Sequence, residues 1–107
     1  MSAEIHLGDV GTVFTATILD ETGAAVDVST AAELTLVYNK PDGTAEERTA
    51  VLVNDGTDGI ISYTTVALDI DQVGTWRVQG FVAIGTSQFS SDVHVFRVYP
   101  NLTRPAA

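Results

Sequence analysis

Apolar residues in this chain recur at every second position, and that period constrains the fold more than any other feature. Phe14, Ala16 and Ile18 alternate with Thr15 and Thr17, and Leu34, Leu36 and Tyr38 alternate with Thr35 and Asn39. Val51 and Val53 follow Thr49 in phase, and Ile61 and Tyr63 alternate with Ser62 and Thr64. Trp76, Val78, Val82 and Ile84 share one parity, with Arg77 and Gln79 on the other. A period of two places successive side chains on opposite faces of a strand, one buried and one wet. The Thr, Val, Ile and aromatic content of these runs suits a pleated, half-buried surface.

Turn chemistry separates the runs. Asp20-Glu21-Thr22-Gly23, Pro41-Asp42-Gly43, Asn54-Asp55-Gly56-Thr57-Asp58-Gly59 and Gly85-Thr86-Ser87 combine Pro, Gly, Asp and Asn in the manner of turns and hairpin loops. Strand-plus-turn units of about 8–12 residues predict an all-β fold, an immunoglobulin-like antiparallel β-sandwich of about seven strands. The strands are expected near residues 4–7, 11–19, 33–40, 46–53, 60–65, 74–84 and 88–99. Residues 1–8 form an N-terminal arm or edge strand, 9–100 the sandwich and 101–107 a C-terminal tail, which Pro100 and Pro105 keep out of a sheet interior. Residues 66–73 hold Asp69, Asp71 and Gln72 and are read as one helical turn between sheets. The acidic corner, then Gly74, then Trp76 opening a long core strand, is the pattern of a chain crossing from one sheet to the other.

The last strand has two readings. Val93 and Val95 share one parity, Phe96 and Val98 the other. A bulge near Val95 turns all four inward. Without it, the strand is apolar on both faces and a partner covers the outer one.

Composition narrows the function classes. The chain has 107 residues, enough for one domain with its own core, and a formal charge of −9. Phosphate backbones and anionic lipid repel such a chain, so neither nucleic acid nor a membrane surface is an expected partner. Cysteine is absent, which excludes disulfides, thiolate metal sites and cysteine nucleophiles. No window approaches the ~18 apolar residues of a membrane span. The opening residues lack the basic and apolar regions of a signal peptide, so synthesis in a cytoplasm is expected.

Catalytic motifs are missing. His6 and His94 are the two histidines, no serine sits in a nucleophile elbow, and the single lysine, Lys40, precedes Pro41 rather than following a phosphate-binding loop. An enzyme is not expected, and no cofactor or metal is assigned. Asp55-Gly56-Thr57-Asp58-Gly59 is the stretch most like a Ca²⁺ loop, but it lacks the closing Glu and reads as a strand connection. Trp76 is expected in the core. Tyr99, Phe81 and Phe89 are the aromatics off the core phase, and a glycan-binding face on Trp76 and Tyr99 is the alternative of another class.

An ordered series of segments carries a family resemblance. It runs from Ile5-His6-Leu7-Gly8-Asp9-Val10-Gly11-Thr12-Val13-Phe14 through residues 20–29 to Lys40-Pro41-Asp42-Gly43-Thr44. It continues through Asp55-Gly56-Thr57-Asp58-Gly59 and Gly74-Thr75-Trp76-Arg77-Val78-Gln79-Gly80 to Phe96-Arg97-Val98. In order and spacing the series resembles the small immunoglobulin-like proteins of tailed-phage structural gene clusters. More loosely, it is similar to the N-terminal domain of phage baseplate upper proteins. The resemblance implies a non-enzymatic virion protein, assembled in the host cytoplasm, that acts by protein–protein contact. A capsid decoration (cement) role leads, with a tail, neck or baseplate subunit as the alternative. The implied partners are the major capsid protein, other virion proteins, or further copies of this chain in a lattice. Ile5, His6, Leu7, Tyr99, Leu102 and Arg104 are the expected contact residues, because apolar groups in terminal segments gain nothing from solvent.

Overall fold

The structure is a computed structural model that describes residues 5–101. Its elements are β1 (Ile5–His6), β2 (Val13–Thr17), β3 (Glu33–Asn39), β4 (Ala45–Thr49), β5 (Val51–Leu52), β6 (Ile60–Thr64), β7 (Gly74–Ile84), β8 (Ser87–Ser90) and β9 (His94–Tyr99). One sheet runs β1-β9-β7-β3-β4, with β8 also on β7, and the other runs β2-β6-β5. The molecule is an all-β sandwich of two packed sheets. Two pairs of elements derive from single predicted runs, which reconciles these strands with the seven read from the sequence.

Residues 45–52 change sheets part-way. Ala45 to Thr49 pair with β3, and Val51 and Leu52 pair with β6. The hinge is Ala50, buried and donating its N–H to the Leu34 carbonyl at 2.9 Å. The phase of Thr49, Val51 and Val53 faces outward, with Val51 60% and Val53 45% exposed. Ala50 and Leu52 supply the core contacts instead.

The connection from β6 to β7 crosses between the sheets as expected, but it contains no helical turn. Asp69 organises it by accepting the Val66 N–H at 2.8 Å. Leu68 adopts a φ of +73° in this loop with its side chain in solvent.

The inward phase packs around Trp76, which is 1% exposed and donates its indole N–H to the Gln72 carbonyl at 3.0 Å. Phe14, Tyr38, Trp76 and Phe96 stand with ring centroids 4.8 to 6.5 Å apart, mostly tilted or edge-on. Such arrangements suit the aromatic quadrupole and join the two sheets. At Gly80 the two sheets approach closely. A Cβ added there would fall 2.8 Å from the Ala16 Cβ of the facing sheet, so only glycine fits.

One end of the sandwich is closed by charge. Lys40 is 8% exposed, and its ammonium reaches Glu46 at 2.9 Å and Asp71 at 3.1 Å while standing 5.7 Å from the Trp76 ring centre. Arg48 bonds Glu46 and reaches Asp69 at 3.0 Å. Asp69 also accepts the Tyr63 hydroxyl at 2.5 Å. Burial is the largest single influence on Asp69 and pushes its carboxyl upward. The Tyr63 hydroxyl, the Val66 N–H and the Arg48 guanidinium together outweigh it and hold the group below the usual range.

A depressed carboxyl contributes stability that is complete above its unfolded value and vanishes as pH falls through its folded value. Asp69→Asn is therefore expected to lower unfolding stability at pH 7 by about 1.5–3 kcal/mol, the range for hydrogen bonds to a charged group. Urea titrations should show that difference shrinking as pH falls below about 4. A gap as wide at pH 3 as at pH 7 would contradict the assignment.

Candidate interaction face

The bulge between β8 and β9 decides which side chains the last strand shows to solvent. Phe81 pairs with Ser90 and Val78 with His94, so Ser91, Asp92 and Val93 stand opposite only Gln79 and Gly80. The extra residue is clipped in place. Ser91 N–H donates to the Gly80 carbonyl at 2.9 Å, and the Ser91 hydroxyl accepts the Gly80 N–H at 2.7 Å. Gln79 Nε2 donates to the Ser91 carbonyl at 2.8 Å. One added residue reverses side-chain parity. Phe89 points inward before the bulge, and Phe96 and Val98 point inward after it.

Of the two readings of this strand, the bulge near Val95 with all four apolar residues inside is not what forms. The bulge comes earlier and leaves Val93 52% and Val95 56% exposed. The strand is apolar on both faces.

The outer face of β9 and β7 forms a continuous stripe. Val95 lies opposite Arg77, and Arg97 opposite Thr75. The Arg97 guanidinium covers the Tyr99 ring at 5.5 Å, and His6 on β1 lies 6.1 Å from the same ring. Lys40 is buried and Arg48 half-buried in ion pairs with acids, so among the described residues Arg77 and Arg97 are the exposed cationic side chains. Both belong to this face.

Glu33 on β3 and Glu47 on β4 are exposed on the outer face of the same sheet, and further acids lie in the loops. Asp20, Asp27, Asp42 and Asp55 each accept the hydroxyl and the N–H of the Ser or Thr two residues on, at 2.6 to 3.0 Å. These hydroxyl and N–H bonds hold all four carboxyls below their ordinary range. The stretch most like a Ca²⁺ loop is built the same way, with Asp58 accepting from Asn54 at 2.8 Å and from the Ile60 N–H at 3.1 Å. Among the described residues no group of three or more His, Cys, Asp or Glu converges as a metal site requires.

The predicted contact residues fall in different places. Ile5 pairs with Val98 in the parallel β1–β9 ladder and packs half-buried against the core. His6 and Tyr99 form the next pair of that ladder and share the outer stripe. Leu7 is 36% exposed, with its carbonyl accepting Asn101 Nδ2 at 2.7 Å. Leu102 and Arg104 lie outside the described residues. Sequence reasoning put Arg77 on the wet parity without naming it as a contact residue, and it left Val95 open between the inner face and a partner-covered outer one. Their cross-strand pairing depends on where the bulge falls, and one sequence leaves that open.

A second feature lies along the side of the sandwich between β2 and β9. A groove of about 510 Å³ runs there, lined by Val13, Thr15, Thr17, Asp92, His94 and Phe96 among others. Compared with known protein families and with curated proteins, the chain matches none.

Burial of Trp76 removes it as a stacking platform for sugars. Its fluorescence should be blue-shifted, poorly quenched by acrylamide and unchanged by added oligosaccharides. Red-shifted emission quenched by a sugar would restore the glycan reading.

Proposed function

We propose that this chain is a non-enzymatic structural protein of a tailed-phage virion, acting through protein–protein contact as a capsid decoration protein. The observation supporting this reading is the outer stripe of Arg77, Val95, Arg97 and Tyr99. The two exposed arginines sit at the β7–β9 part of a sheet face whose β3–β4 part carries Glu33 and Glu47, and such a split of charge selects an acidic surface at one side and fixes its orientation. Val95 and Tyr99 add apolar and aromatic area beside that charge, the composition of an interface centre rather than of an ordinary wet sheet face. The partner that fits is an acidic patch on the major capsid protein or another virion protein.

A tail, neck or baseplate subunit would use the same chemistry at a different copy number. The glycan-binding alternative rests on Tyr99 alone, and Arg97 already covers that ring.

Quantitative mass spectrometry of purified particles tests the reading. Copies in the hundreds per particle are expected for a lattice-wide decoration protein, and about a dozen or fewer for an axial component. Absence from particles would overturn the proposal. The double variant Arg77→Glu/Arg97→Glu should fold with stability within about 0.5 kcal/mol of the parent, as surface substitutions usually do. Its incorporation should fall about tenfold or more. Undiminished incorporation would remove this face as the docking surface.

A further inference from the structure

The edge of β2 that faces the groove is bare. In the antiparallel ladder with β6, Thr65 N–H reaches the Thr12 carbonyl at 2.9 Å and Ile18 N–H reaches the Gly59 carbonyl at 2.8 Å. The even-numbered residues of β2 therefore bond β6, and the N–H and C=O groups of Val13, Thr15 and Thr17 point the other way. β2 is at the end of its sheet, and among the described residues these groups meet no strand.

Among the other edges, β8 and the His94–Arg97 part of β9 also have an open side, while the other ends of the two sheets are guarded. β4 carries Glu46, Glu47 and Arg48, with Glu46 and Arg48 turned inward to the Lys40 network. β1 and β5 are two residues each. Inward-pointing charges and very short strands are devices that stop edge-to-edge pairing. β2 has neither: its five residues, Val-Phe-Thr-Ala-Thr, are uncharged.

We propose that β2 pairs antiparallel with β2 of a second copy about a two-fold axis at Thr15, joining two three-stranded sheets into one continuous sheet. In this register Thr15 faces Thr15 of the second copy, and Val13 faces Thr17. Every outward N–H and C=O of the three residues then finds a partner, and no other register achieves this. A symmetric pair needs the same patch on both copies. β2 provides such a patch without charge, which matters because two chains at −9 repel along most of their surfaces. Thr opposite Thr is a favourable cross-strand pair. The inference stands apart from the virion reading, since it concerns this chain alone.

The absence of cysteine makes the test clean. Directly opposed, hydrogen-bonded residues have Cα atoms about 5.5 Å apart, within disulfide range. Thr15→Cys should cross-link into a dimer under mild oxidation, whereas Val13→Cys, whose opposite is Thr17, should cross-link far more slowly. Sedimentation of the unmodified chain should show a concentration-dependent dimer that Thr15→Pro abolishes. Proline there removes only an outward N–H, and Trp76 emission checks that the fold survives. Thr15→Lys, which sets two ammonium groups across the axis, provides a second monomeric variant. Equal cross-linking at positions 13 and 15, or a dimer that persists in both Thr15→Pro and Thr15→Lys, would overturn the register. A chain that stays monomeric at millimolar concentration would overturn self-pairing, and protection of the Thr15 amide only on adding a particle protein would assign the edge to that protein.

Discussion

The clip between Ser91 and Gly80 is the contact on which the rest of the surface depends. Gly80 meets Ala16 of the facing sheet so closely that a side chain there would push the sheets apart. On the same residue, the N–H and C=O are both taken by Ser91. The clip therefore fixes the spacing of the sandwich and the position of the bulge together. Beyond it, Phe96 and Val98 enter the core and Val95, Arg97 and Tyr99 are left outside. A strand without the extra residue would bury Val93 and Val95 and turn Phe96 to solvent, removing the ring that stacks on Trp76 at 5.7 Å.

Charge is distributed by the same geometry. Two of the chain's five cationic side chains, Lys40 and Arg48, pair with Glu46, Asp69 and Asp71 at the end of the sandwich that charge closes. Such partly buried pairs are costly to break, although a well-packed apolar end could serve equally for stability. Their second effect is to point Glu46 and Arg48 inward from an edge strand, which deters pairing there. Arg77 and Arg97 are left to mark one sheet face, and β2 is left neutral. The two surfaces proposed for contact are therefore chemically distinct, one marked by two arginines and the other an uncharged strand edge.

Much of the fold was legible because strand alternation and turn chemistry are local. Phe14 and Ile18, Leu36 and Tyr38, and Trp76, Val78 and Val82 all lie inside as their parity requires. The Pro41-Asp42-Gly43 and Gly85-Thr86-Ser87 turns close the hairpins they signal. Residues 45–52 misled because Glu46 and Arg48 occupy the inward phase, so the buried face looked polar and Val51 and Val53 looked like the core. The candidate face was half legible: His6 and Tyr99 are on it, but Ile5 faces the core and Arg77, read as wet, was not named as a contact.

By itself, then, the sequence determined the fold class, the inward residues of most strands and the chemistry of each turn, since each of these follows from neighbours along the chain. Tertiary structure alone decided the outward parity of Val95, the partners of Lys40 and Arg48, and the bare edge of β2. Those depend on which strands meet and in what register, a competition among distant segments that is settled only when the two sheets close over Trp76.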